Sequence, residues 1–139
     1  MIFRQSIRIE FNHCDPAGIV FYPRYFEMTN SVAESFFREV AGHSYAAMMQ
    51  AGEGVPTAHL ETTFHAPSRL EEVLDWRLAV TRLGNASIAF RIEAWCGDSH
   101  RMTAAPTLVF VNAAGRPQPW PQAIRDRITA FMESPDEQP

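Results

Sequence analysis

One carboxylate stands in a stretch built to present it. The run Phe11-Asn12-His13-Cys14-Asp15-Pro16-Ala17-Gly18-Ile19-Val20-Phe21-Tyr22-Pro23 places Asp15 ahead of Pro16 and Gly18, residues that fix a tight, non-helical loop. Pro23 suits the first position of a helix, where the missing amide hydrogen costs nothing. The loop therefore holds a carboxylate close to a helix start, where free backbone donors and the positive end of the helix dipole stabilise charge developing on a carbonyl oxygen. That combination is the equipment of an acyl-transfer site. Taken by itself, Asp before Pro is also an ordinary turn residue.

His13, Cys14 and Asp15 are consecutive, and neighbouring side chains on extended chain point to opposite sides, so the three do not converge on one metal ion. Cys14 reads as a small buried residue and His13 as a neighbour that tunes the pocket. Of the scattered histidines, His59 has the best chance of facing the site. No metal and no cofactor is expected.

The elements around this loop follow from periodicity. Phe3, Ile7, Ile9 and Phe11 alternate with polar residues, the pattern of a half-buried strand. From Pro23 to Ala41, apolar residues from Tyr25 to Val40 recur at helical spacing and form a broad stripe that needs covering. A short helix over Tyr45 to Gln50 ends at paired glycines. Four more strands are read around Ala58–Ala66, Leu74–Val80, Ile88–Ala94 and Thr107–Val111, with Pro106 where the last one begins or bulges. The turn residues between them imply consecutive antiparallel pairing. Pro121 opens a terminal helix with Ile124, Ile128 and Phe131 on one face, and residues 134–139 read as a frayed tail. This order is α+β, in one domain over residues 1–139.

Composition narrows the partners. A net charge of −4 and a pI near 5.7 give no field for nucleic acid. The first residues lack a signal peptide's apolar run, and no stretch is long enough to span a bilayer, so the cytoplasm is the expected location. Cys14 and Cys96 form no framework and read as reduced thiols.

Asp15 to Tyr25 resembles the active-site signature of the 4-hydroxybenzoyl-CoA thioesterase family of hotdog-fold enzymes, whose pattern runs Asp-Pro-Ala-Gly-Ile-Val-aromatic-Tyr-Pro-x-Tyr. The resemblance implies a five-stranded antiparallel sheet wrapped round the long helix, assembled as a homodimer or homotetramer by edge-to-edge joining of sheets. It implies hydrolysis of an aryl- or short acyl-CoA thioester, with Asp15 as nucleophile through a mixed anhydride or as base for a water, and the Tyr22 amide on the carbonyl oxygen. Phe21, the motif's aromatic, joins Asn30, His59 and His13 as the expected substrate contacts. Asn30 stands where the family places an aspartate that meets a phenolic hydroxyl, so the acyl group stays open. The turn at Arg82 carries one basic residue where aryl-CoA members carry several, which leaves an acyl carrier protein thioester as a second substrate form. Arg69, Arg91 and Arg101 are the other candidate phosphate contacts. A non-catalytic acyl-binding module and a hotdog hydratase or dehydratase are the alternatives.

Overall fold

The computed structural model describes residues 1–136. The elements in chain order are β1 (Phe3–Arg8), α1 (Arg24–Glu39), α2 (Tyr45–Gln50), β2 (Thr57–Phe64), β3 (Val73–Leu83), β4 (Ser87–Cys96), β5 (Ser99–Val109) and α3 (Gln122–Glu133). The five strands form one antiparallel sheet in the order β1-β3-β4-β5-β2. The sheet wraps α1, which is the hotdog arrangement.

The helix is held by its aromatic stripe. Val32, Phe36 and Phe37 are fully buried, and the Phe36 ring meets those of Phe3, Phe37, Phe90 and Phe131 at centroid distances of 6.2, 5.6, 5.2 and 5.4 Å. Edge-to-face contacts of this kind add to the burial of each ring. The alternating strand positions Leu74, Trp76, Leu78, Phe90 and Ile92 supply the other wall of the core. Ile124, Ile128 and Phe131 of α3 close it, as the spacing requires.

Two expectations about the sheet are corrected. The final strand starts at Ser99, and Pro106 lies inside it, opposite Leu60. The β4–β5 register is the same at Ala89↔Thr107 and Ile92↔Ala104, yet no pair is formed at Pro106 between them, since proline has no N–H to offer. The sheet carries the gap because both flanking stretches are paired. Second, β2 and β3 are not hairpin neighbours despite the Pro67-Ser68 turn. Both sides of β3 are taken by β1 and β4, so β2 lies at the far edge beside β5 and residues 65–72 cross over. Of the tail read over 134–139, residues 137–139 lie outside the described residues; Ser134 is tied to α3 by its N–H and hydroxyl, both donating to Ala130 O.

Phe36→Ala removes the ring on which four others converge, and a loss of about 3–5 kcal/mol is expected from transfer and cavity costs together. Urea unfolding of the variant measures it; a loss under about 1 kcal/mol contradicts the packing described.

Candidate active site

The motif folds as a miniature ribbon laid ahead of α1. His13 O accepts the Phe21 N–H at 2.9 Å, Cys14 bridges Val20, and Ile19 O accepts the Asp15 N–H at 3.0 Å. Its tip is a turn in which Gly18 N–H donates to Asp15 O at 2.9 Å and Gly18 takes φ +79°. Asp at the first position, Pro at the second and Gly at the fourth suit this turn, and only glycine adopts that φ without strain. Asp15 Oδ1 accepts the Ala17 N–H at 2.9 Å, so the turn role is real. The second carboxylate oxygen takes no hydrogen bond among the described residues.

Alternation along the ribbon sorts the side chains. Cys14 and Val20 face the core, Val20 buried. His13, Asp15 and Phe21 belong to the opposite face. The His13 ring is tied back to the chain, its Nδ1 accepting the Glu10 N–H at 2.8 Å. Phe21 and Tyr22 are both exposed and meet edge to face at 5.7 Å.

Most main-chain donors of the ribbon and the first turn of α1 are paired, the Ile19 N–H in the ribbon and the Tyr22 N–H at the helix start excepted. Val20 N–H goes to Ser68 O, Phe21 N–H to His13 O, and the Arg24, Tyr25 and Phe26 amides to Phe21, Tyr22 and Pro23 carbonyls. Pro23 has no amide hydrogen. Among the described residues, no acceptor takes the Tyr22 N–H. It stands at the positive end of a helix of 16 residues.

Asp15 and Tyr22 open onto two adjoining hollows. One, of about 400 Å³, is lined by Phe11, Cys14, Asp15, Pro16, Gly18 and Leu70. The other, of about 280 Å³, holds Ile19, Tyr22, Tyr25, Phe64, His65 and Pro67 among its walls. Gly18 and Ile19 divide them, so the ribbon itself is the partition. A third hollow, of about 290 Å³, runs along α1 past Phe26, Thr29, Asn30 and Ala33 beneath Leu60 and Leu108. Asn30 continues into a fourth with Tyr45, Met48, Glu53 and Val55. Tyr22 and Asn30 are eight residues apart, which is roughly 12 Å of helix. His59 lies apart from all of these, exposed on β2 with Nε2 at 3.3 Å from Glu61 Oε1.

One feature of the site had no signal in the sequence. Arg101, read there as a candidate surface cation, is buried and grips Glu72 with both terminal nitrogens, at 2.9 and 2.8 Å. That removes it from the phosphate candidates, whereas Arg69, Arg82 and Arg91 are exposed. The β4–β5 register slips between Ala94 and Trp95, and this bulge is what turns Arg101 inward out of alternation. Hydrogen bonding from Arg101 holds the Glu72 carboxyl down at about 2, burial working against it.

The model of the family described as Thioesterase superfamily matches residues 17–103, from just after Asp15 into β5. The chain belongs to the thioesterase superfamily. Thioester hydrolysis is its reaction class. Among solved structures, this thioesterase is similar to a 1,4-dihydroxy-2-naphthoyl-CoA thioesterase from Synechocystis at 19% identity and TM-score 0.86, over 96% of this chain and 100% of that one. It is also similar to a gentisyl-coenzyme A thioesterase, at 22% identity and TM-score 0.82 over 88% and 99%. A Staphylococcus aureus protein solved in complex with CoA aligns at 14% identity and TM-score 0.90 over 100% and 90%. At these identities the likeness is one of fold. No curated protein matches the sequence.

The lowered carboxyl of Glu72 gives this thioesterase an acid-sensitive brace. A carboxylate held below its ordinary value of 4.5 contributes stability that is complete above that value and is lost as pH falls toward about 2. The urea midpoint is therefore expected to fall between pH 5 and pH 2 and to fall less steeply in Glu72→Gln. Equal slopes in parent and variant contradict the assignment.

Proposed function

We propose that this thioesterase hydrolyses an aryl- or short acyl-CoA thioester through Asp15, with the Tyr22 amide polarising the carbonyl. The observation that carries the reading is the unpartnered Tyr22 N–H at the start of α1, on the same short ribbon as a carboxylate with an unengaged oxygen. Water and the thioester give a carboxylic acid and the free thiol. Asp15 either attacks the carbonyl carbon, expelling the thiolate and leaving an anhydride that water opens, or takes a proton from the attacking water. In both routes the carbonyl oxygen gains negative charge, and a preorganised amide at a helix start is worth more there than in water.

The hollow along α1 suits the acyl group. Its walls are apolar at Phe26, Ala33, Leu60 and Leu108, with the Asn30 amide as a hydrogen-bonding group. Coenzyme A as the thiol is supported by the CoA complex of the Staphylococcus aureus neighbour, and an aryl acyl group by the hydroxyaryl substrates named for two other neighbours. Phe21 and His13, on the Asp15 face, are the proposed flanking contacts, with His59 reaching a site only across a subunit boundary. A hydratase reading needs a histidine aimed at Asp15; His13 shares its face but its Nδ1 is engaged by the Glu10 N–H, and the walls of the Asp15 hollow hold none.

Assembly is part of the same proposal. β2 is an edge strand with Leu60 and Phe64 exposed at 42% and 47%, a surface that a second copy would cover. Phe64 packs against Tyr22, Tyr25 and Phe26 at 6.1, 5.8 and 6.4 Å, so a partner seated there also walls the Tyr22 hollow. We place the dimer, or a tetramer of such dimers, in the cytoplasm. No described helix is long and apolar enough to cross a membrane.

Thiol release from a panel of benzoyl, phenylacetyl, short and long aliphatic CoA thioesters tests the function, with Asp15→Asn expected to lose about a hundredfold or more in kcat. Hydrolysis by Asp15→Asn at the parent rate, or release from no member of the panel, rejects it. Light scattering of the parent is expected to give two or four times the 15.7 kDa chain mass. Leu60→Asp is expected to shift it toward the monomer with activity lost in step; a parent that runs as a monomer rejects the edge pairing.

A further inference from the structure

The crossover from β2 to β3, residues 65–72, has no ladder of its own, and Arg101 fastens it at five residues: His65, Ala66, Pro67, Ser68 and Glu72. The Arg101 carbonyl accepts the His65 and Ala66 amides at 2.8 and 3.2 Å. Its guanidinium donates to Pro67 O at 3.0 Å, Ser68 Oγ at 3.2 Å and both oxygens of Glu72, while Nε donates to Ser99 Oγ at 2.9 Å. Glu72 Oε1 in turn accepts the Arg69 N–H at 2.6 Å. The segment between is strained: Glu71, at φ +71°, is the one non-glycine residue with positive φ among the described residues. It is held there by Ile9, whose carbonyl accepts the Glu71 N–H and whose N–H donates to Glu72 O, both at 2.8 Å.

This fastened segment carries the motif ribbon. Ser68 O accepts the Val20 N–H at 2.9 Å and Ile19 bridges Arg69. Val20 is two residues from Tyr22. We propose that Glu72 and Arg101 are positioning residues of the reaction: by fixing residues 67–69 they set the height of the Tyr22 amide over the carbonyl oxygen. This rests on the role given to that amide above. A partly buried ion pair is a weak source of net stability beside an apolar replacement, but a bidentate fork fixes a loop in two directions at once. Misplacing a polarising donor by about 1 Å is enough to cost about a hundredfold in rate.

The test separates position from folding. In an Asp15→Asn background, which slows hydrolysis, the carbonyl stretch of the panel's fastest substrate, 13C-labelled at the carbonyl, is read by difference infrared spectroscopy free and bound before turnover. A lowered frequency is expected on binding. Adding Arg101→Met is expected to abolish most of that lowering and, with Asp15 present, to cut kcat about ten- to a hundredfold while KM changes less than about threefold. Arg101→Lys keeps the charge without the fork, is expected to fall between, and carries the measurement if the methionine variant does not fold. Each variant is read well below its own melting temperature, beside Ile128→Ala, which loosens the remote face of the core and is expected to leave the frequency unmoved. A folded Arg101 variant with the full lowering and parental kcat overturns the positioning role alone. Absence of any lowering with Arg101 intact overturns the polarising amide, and the positioning role with it.

Discussion

A main-chain amide can polarise a bound carbonyl only where the chain itself leaves it unpaired, and folded chains rarely do so. The Tyr22 N–H meets that condition through the motif's own chemistry. Pro23 supplies no hydrogen, the Val20 and Phe21 amides are engaged in the ribbon, and the amides after Pro23 are turned into α1. A donor in this position is stable because it is exposed to water when the site is empty. It becomes costly to leave unmatched only when a substrate excludes that water, and the substrate then brings its own carbonyl oxygen as acceptor.

Keeping such an amide in place requires rigidity from elements that do not touch the substrate. Two sources of it meet at the ribbon. One is apolar and non-directional: Val20 and Tyr25 sink into the core, and the Phe36 cluster fixes α1 along its length. The other is polar and directional, through Glu72 and Arg101. Packing alone tolerates sliding of a loop by fractions of an ångström, because many arrangements of apolar contact are close in energy. Hydrogen bonds of fixed geometry do not. The β5 bulge that turns Arg101 inward is therefore as much a part of the site's architecture as the motif is.

The strands, the long helix and the motif were legible because each has a local signature. Period-two alternation at Leu74, Trp76 and Leu78, helical spacing from Tyr25 to Val40, and the turn residues Asp15, Pro16 and Gly18 all act within a few residues. Pro106 misled because a proline usually marks a strand's end, and the long pairing on either side that carries it through is a tertiary fact. The far-edge placement of β2 had no local trace, since Pro67 and Ser68 look alike in a hairpin and in a crossover. Arg101 was the hardest case. Its spacing along β5 is that of a surface residue, and only the one-residue bulge, set by pairing with β4, reverses its direction. Asn30 lines a hollow along α1, and which group it meets depends on a ligand.

The division of the site into hollows on either side of the ribbon bears on how a thioester lies. Asp15 opens to the side of Phe11 and Leu70, both exposed, while Tyr22 opens toward Phe64 and the cavities along α1. A flexible pantetheine arm and a compact acyl group differ in what they need: the arm tolerates an open apolar rim, and the acyl group gains most from an enclosed wall. The direction along α1, toward Asn30, offers apolar walls at Phe26, Ala33, Leu60 and Leu108 together with one amide. On the proposed reading the carbonyl would sit at the ribbon's edge between the two, with the Asp15 carboxylate to one side and the free Tyr22 amide to the other. The hollow on the Tyr22 side stays open to solvent past the β2 edge in an isolated chain. The proposed second copy is what would exclude water there, which links catalytic competence to assembly through the same exposed Phe64 and Leu60 that make the edge adhesive.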